Sequence, residues 1–179
     1  MDCTSSQIVK GSAAVMDIKK TFFCGKNEQL IIRDLNENVI AYLHLLTEKD
    51  LSDRDVITKI ACWRKRYADS FMTVFEPTVE RTYGWLKNDL LPSKNRVLFK
   101  IYTTENHFVG HVGAIIHDDY VEYDYYIKGE KVEIKDFSLI IAKKFLFWVC
   151  DLVSLNTIKG RVRSSNAKGL DFHLRTGFT

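Results

Sequence analysis

A chain of 179 residues that is 46% hydrophobic and 27% charged, with only two prolines, has the size and composition of one globular domain rather than of a disordered segment. Its net charge of +3 is too mild, and its basic residues too scattered, to argue for nucleic acid as a partner. Cys3, Cys24, Cys62 and Cys150 form no C-x-x-C pair and have no histidine at ligand spacing, which argues against a metal site or a disulfide framework; with no apolar run of about 18 residues and no signal-peptide core, a cytoplasmic protein without a membrane span is expected.

In chain order, residues 1–29 read as an N-terminal extension, with Phe22-Phe23 as a docking point, ahead of a domain spanning 30–179. Gln29 to Arg33 and Val39 to Leu46 predict two short strands joined by the turn Asp34 to Asn38. Ser52 or Asp53 caps a helix that places Val56, Ile57, Ile60 and Trp63 on one face and fades near Tyr67. After the connector Ser70-Phe71-Met72, Pro77 to Glu80 open a second helix with Thr82, Trp85, Leu86 and Leu90 inward and Pro92 past its end. Arg96 to Thr104, Phe108 to His117 and Tyr120 to Ile127 predict an antiparallel three-strand meander. Strict alternation puts Val109, His111, Gly113 and Ile115 on one face of the second strand; on the third, Glu122 and Asp124 share a face and Tyr123 and Tyr125 take the other.

The loop Lys128 to Asp136 leads to a helix from Phe137 to Val153, apolar nearly all round and therefore expected between layers. A strand then stops at Ser164-Ser165-Asn166, and a short helix comes next with Leu170, Phe172, Leu174 and Phe178 as apolar positions and Gly177 as its stop. This order predicts an α+β fold, a central mostly antiparallel sheet with helices on both faces.

In the last stretch a small residue, Gly169, sits three after Asn166, a ring, His173, seven after it, and Gly177-Phe178 eleven and twelve after it. The spacing resembles the "N-x-x-A-x-x-x-Y-x-x-x-G-F" signature of the Gcn5-related N-acetyltransferase (GNAT) superfamily, and the predicted element order over about residues 30–178 is similar to the topology of that family. Trp63-Arg64, Ser70-Phe71-Met72, the set Thr78, Glu80, Thr82, Trp85, Leu86, the strand Val97 to Ile101 and Gly110-His111-Val112-Gly113 resemble a subgroup among nucleotide-sugar and surface-polysaccharide N-acyltransferases.

The resemblance implies direct transfer of an acyl group from acetyl-CoA or another acyl-CoA to an amine, with a nucleotide-linked amino sugar as the acceptor. It implies a diphosphate site on backbone amides ahead of the Phe137 helix, drawn from Gly129, Lys131, Val132, Ile134, Lys135, Asp136, Phe137 and Ser138. The usual glycine-rich loop is absent there: Gly129 is the one glycine, and Glu130, Glu133 and Asp136 oppose an anion. Main-chain groups of Tyr125, Tyr126 and Ile127 would pair with the pantetheine arm, faced by Asn166. His173 stands where the family has its acidic tyrosine, as the candidate acid for the leaving thiolate or as a coenzyme contact. Asp124 and Glu122 are the candidate bases, ahead of His111 and His107, and Trp63, Arg64, Phe71 and Tyr125 fall where the family covers its acceptor, with Arg64 either a phosphate ligand or a partner in a structural salt bridge. The family continues beyond Gly-Phe with one or two strands, so a shortened chain or a homodimer that supplies the strand is expected. A protein α-amine acetyltransferase of the ribosomal type and a non-catalytic binding module with the same fold are the alternatives.

Overall fold

The computed structural model describes residues 29–73 and 75–179 together with Lys19. The reading of residues 1–29 as an extension therefore lies almost wholly outside the described residues; Lys19 donates from its amino group to the carbonyls of Leu91 (3.1 Å) and Ser93 (2.5 Å). The elements are β1 (Leu30–Arg33), β2 (Val39–Leu45), α1 (Arg54–Arg66), α2 (Val79–Trp85, extended by a wider turn over Leu86–Leu90), β3 (Arg96–Tyr102), β4 (Phe108–Ile116), β5 (Val121–Lys128), α3 (Phe137–Val153), β6 (Ile158–Gly160) and α4 (Ala167–Thr176). Six strands form one sheet in the order β1-β2-β3-β4-β5-β6, antiparallel except for the parallel pair β5 and β6.

Local chemistry sets the helix ends. The Asp53 carboxylate accepts from the backbone N–H groups of Asp55 and Val56, and Arg64, Lys65 and Arg66 close α1 at its negative end. Thr78 caps α2 through Arg81 N–H, and Asn166 caps α4 through Gly169 N–H. Two cores result. Ile57, Ile60, Trp63, Leu86 and Leu90 pack with Leu98, Phe108 and Ile127 on one face of the sheet. Phe99, Ile101, Val112 and Tyr123 pack with Ile141, Phe145 and Val149 of α3 on the other. Covered on both faces, β4 is buried along its whole length.

Three expectations are corrected. α3 does not lie between layers: Phe147 and Leu152 face solvent while Ile141, Phe145 and Val149 face the sheet, so its apolar content exceeds what its one buried face needs. In β4, Ile101 and Tyr102 face Gly110 and Phe108 in turn, which leaves Val109 as an extra residue. This bulge sends Val109 to the α3 face, whereas His111 lies beside Trp63 on the α1 face. In β5 the register jumps between His111↔Ile127 and Gly113↔Asp124, so Tyr125 and Tyr126 together oppose Val112. Tyr126, not Tyr125, therefore shares the α3 face with Tyr123, and Tyr125 joins the α1/α2 face beside Trp85. Among the described residues no helix is long and apolar enough to cross a membrane.

Candidate active site

The parallel pairing of β5 with β6 covers only Val121↔Ile158, Glu122↔Lys159 and Tyr123↔Gly160. Beyond Tyr123, β5 runs on to Lys128, whereas β6 ends at Gly160 and its chain leaves toward the Asn166 cap. A notch opens there in the sheet, and the β5 bulge stands at its apex.

The bulge is fastened by side chains. Tyr125 has left-handed backbone geometry (φ 61°), costly for a residue with a side chain. Its N–H donates to Asp124 Oδ1 (2.8 Å) and its carbonyl accepts from His111 Nδ1 (2.5 Å). Both main-chain groups expected to serve a ligand at Tyr125 are thus already engaged, and the Ile127 carbonyl points at Gly110 of β4, a correction that leaves Tyr126 for that role. Burial, at 2% exposure, brings the His111 imidazole down to about 4, opposed by the Tyr125 carbonyl and aided by the Arg64 charge. The ring is neutral, with its proton on Nδ1, and its buried Nε2 has no hydrogen-bond partner. Burial also raises Asp124, with Glu122 adding to the shift and Tyr125 N–H, Arg161 and Arg96 opposing it. Asp124 keeps a second oxygen with no hydrogen bond among the described residues.

Glu122 shares the Asp124 face but is committed elsewhere. Oε2 meets His117 Nε2 at 3.0 Å and Oε1 meets Arg161 at 2.6 and 2.7 Å. Burial works against the carboxylate, yet His117 and Arg161 hold it below its ordinary range. It bolts the outgoing end of β6 to β5. Sequence reasoning missed Arg161; its place directly after a strand that ends beside Glu122 was the available signal.

On the α3 face the terminal motif is a chain of contacts. Asn166 Oδ1 accepts from Gly169 N–H (2.9 Å), and a side chain at Gly169 would lie 2.5 Å from the Asn166 amide and 2.7 Å from Val162. The Gly169 carbonyl accepts from His173 Nδ1 (2.8 Å), and the imidazole fills the space beside Gly160, where a Cβ would approach to 2.9 Å. Phe178 packs edge-on against His173 (5.0 Å) after Gly177, left-handed at φ 113°, ends α4. Facing these rings across the notch are Tyr123, 5.8 Å from His173, and Tyr126, 5.2 Å from Phe172. Tyr123 Oη, Tyr126 Oη and His173 Nε2 are buried without a hydrogen-bond partner, although the Ser138 hydroxyl lies near Tyr126 Oη. Burial raises both phenols, so they stay neutral donors.

The loop ahead of α3 is tied down at its start. A Cβ at Gly129 would fall 2.0 Å from the Trp63 ring, so this glycine makes room for an indole. Trp63, 1% exposed, donates to Glu130 Oε1 (2.8 Å); it lies beneath the loop, away from any acceptor surface. Arg66 and Tyr67 donate to the carbonyls of Gly129 (2.5 Å) and Lys128 (3.2 Å). The acids that the sequence sets against a phosphate are each engaged: Glu130 by Trp63, Glu133 by Lys131 (2.5 Å) and Asp136 by Arg175 of α4 (2.8 Å). Val132 and Ile134 lie between them, Ile134 O accepts from Phe137 N–H (3.3 Å), and exposed Lys135 and half-buried Ser138 flank the start of α3.

On the α1/α2 face, Arg64 lies over Trp85 and Phe75, and Phe71 stacks on Phe75 (5.4 Å) with its carbonyl accepting from Arg163 (3.3 Å). Trp85 packs on Tyr125 (5.5 Å), so Phe71, Phe75, Arg64, Trp85 and Tyr125 form a continuous wall leading to Asp124. Two surface cavities, of about 350 Å³ beside Phe147, Ile158 and Phe178 and about 510 Å³ beside Asp53, Lys59 and His107, lie away from this wall.

No family model and no curated protein matches the sequence. Solved structures do. A GNAT-family acetyltransferase from Bacillus anthracis superposes with a TM-score of 0.59 at 16% identity, over 83% of this chain and 82% of its own. A probable GNAT-family acetyltransferase from Chromobacterium violaceum gives 0.60 at 12% identity, over 99% and 81%. The aminoglycoside acetyltransferase AAC(6')-Ib gives 0.61 at 12%, over 78% and 84%, in structures with coenzyme A and with coenzyme A plus kanamycin. At these identities the likeness is one of architecture: this six-stranded sheet with its flanking helices is the GNAT acetyltransferase fold.

Proposed function

We propose that the protein is a coenzyme A-dependent N-acyltransferase acting on the amino group of a nucleotide-linked amino sugar. The observation that carries the proposal is the notch between β5 and β6 with a side-chain-fastened bulge at its apex and a half-buried, proton-hungry Asp124 beside it. Coenzyme A fits the residues present. Three buried polar atoms around the notch lack partners, and an extended arm with amide groups meets that need. When bound, coenzyme A supplies an activated acyl group and a thiol leaving group.

The chain's residues then divide the work. Tyr126 offers its main-chain groups along the open edge of β5, as a strand offers them to an added strand. The backbone at the start of α3, relieved of acidic repulsion by the Asp136–Arg175 pair, receives the diphosphate, with Lys135 beside it. Asp124 takes a proton from the acceptor ammonium through its free oxygen, its raised affinity for protons suiting that task. His111 is a positioning residue: it fixes the Tyr125 carbonyl, and with it the bulge. His173 holds its Nδ1 proton on the Gly169 carbonyl, so only the imidazolium form has an Nε2–H to give a thiolate. The wall of Phe71, Phe75, Trp85 and Tyr125 offers ring faces to a sugar and base.

A thiol-release assay with acetyl-CoA and a panel of amino-sugar nucleotides tests the proposal. Turnover with a member of the panel, abolished in Asp124→Asn, is expected. No turnover with any of them, but turnover with an N-terminal peptide, would transfer the acceptor assignment to a protein α-amine.

A further inference from the structure

Arg64 is the cation of the wall. Its guanidinium lies 4.2 Å from the centre of the Trp85 ring and 4.8 Å from that of Phe75. Among the described residues no carboxylate pairs with it and no oxygen accepts its N–H groups, while burial brings its pKa down to about 10. Ring faces attract the charge but leave the in-plane N–H fork open, and that fork matches a carboxylate or phosphate. Neighbouring arginines differ: Arg161 is held by Glu122, Arg163 by the carbonyls of Asp69 and Phe71, and Arg66 by that of Gly129.

The surrounding charges point the same way. Arg96 acts on Asp124 and Tyr125 across the bulge and has no ion pair of its own among the described residues. Glu122 is paired with Arg161, so among the described residues the charges that act on the bulge without an ion pair are Arg64, Arg96 and Asp124. A polycationic acceptor would meet repulsion here, and an acceptor with an anionic group would not.

We infer that Arg64, framed by Phe75 and Trp85, is an oxyanion subsite, and that the acceptor carries a phosphate or carboxylate on the same molecule as the amine presented to Asp124. The amine half of this inference rests on the acyltransferase reading; the oxyanion half does not. Phosphate and carboxylate share the recognising chemistry, so the test carries an arm for each.

Calorimetric titration of the full chain, with and without saturating coenzyme A, would use glucosamine, glucosamine 6-phosphate, muramic acid and kanamycin. One of the two anionic sugars is expected to bind about tenfold or more tightly than glucosamine. Arg64→Gln should erase that preference and Arg64→Lys should keep part of it. The rise in Tm with coenzyme A should be the same in Arg64→Gln as in the parent, which also shows that the variant is folded. Equal binding of glucosamine and both anionic sugars, an undiminished preference in Arg64→Gln, or a preference for kanamycin would overturn the subsite. An Arg64-dependent preference without any response to coenzyme A would leave the subsite standing and remove the acyltransferase reading.

Discussion

The two faces of the notch solve opposite problems. On the α1/α2 face the bulge is tied from both sides: His111 holds the Tyr125 carbonyl, Asp124 holds its N–H, and Glu122 is clamped between Arg161 and the His117 ring. On the α3/α4 face the polar atoms of Tyr123, Tyr126 and His173 are enclosed by rings and left without partners. A buried group without a partner costs about 1–3 kcal/mol, and the three on this face are groups that the polar atoms of a bound coenzyme arm would satisfy. The α1/α2 face therefore keeps its shape beneath the proposed acceptor wall. The α3/α4 face is the one proposed to receive the coenzyme.

The shape-keeping face breaks most severely if its floor is removed. Trp63 is fully buried between Phe108, His111 and the Gly129 backbone, so Trp63→Ala should cost about 3–5 kcal/mol in chemical denaturation. Gly129→Ala should destabilise by about 1–3 kcal/mol or more from the other side of the same contact, because its Cβ would enter the indole. If either variant unfolded at the parent's denaturant midpoint, Trp63 would not be the anchor of the loop.

Next in size is a separation of activity from stability at Asp124. Its native pKa is raised, so the native state binds the proton more tightly than the unfolded chain; stability is fully present below the unfolded value and falls as pH rises toward the native one. Asp124→Asn removes that cost while keeping an oxygen for Tyr125 N–H. At pH 7 it should be as stable as the parent or more so, with kcat reduced by about 10²–10⁴ if it is the base. Full turnover would send the search for the base elsewhere.

His111 should show the opposite sign. With its native pKa depressed to about 4 from an ordinary 6.5, the unfolded chain binds the proton more tightly. Stability contributed by the neutral ring is therefore complete above about pH 6.5 and is lost as pH falls toward 4, by on the order of 3 kcal/mol. Urea melts at pH 4.5 and 7 should differ more in the parent than in His111→Asn. Equal pH sensitivity would mean that His111 is not the buried, carbonyl-fixed group seen here.

These pH effects could not have been read from the sequence, for a definite reason. The elements were legible because their signals are local: Asp53 and Thr78 as caps, Gly177 as a stop, and alternation in β3. Alternation also predicted faces, and it failed wherever a bulge inserted an unpaired residue. Val109 and the pair Tyr125/Tyr126 each turn the succeeding residues of their strand to the opposite face, and nothing in the residue types marks the insertion. The motif from Asn166 to Phe178 was visible as spacing, but the reason for Gly169, the Asn166 side chain that would meet its Cβ, is visible only in three dimensions. The loop before α3 read as hostile to an anion because the partners of its acids, Trp63 and Arg175, come from distant sequence.

The smallest effects sharpen the contrast between the faces at its edges. Glu122→Gln should cost about 1 kcal/mol or less, since Arg161 is mostly exposed and water screens half of the clamp. His173→Asn should leave the fold intact and, if the imidazole is the acid, lower kcat with acetyl-CoA while the rise in Tm with coenzyme A is kept. Unchanged turnover would reduce His173 to a coenzyme contact.

The most direct test of the receiving face is thermal unfolding of the purified protein with millimolar coenzyme A or acetyl-CoA. At about a hundred times its Kd, a ligand adds roughly 2.7 kcal/mol, so a clear rise in Tm is expected for both, and a smaller one in a Tyr126→Phe variant lacking the unpartnered hydroxyl. An unchanged Tm with both ligands would contradict the assignment of the notch to a coenzyme A thioester and would make the protein a binding module with the architecture of an acyltransferase.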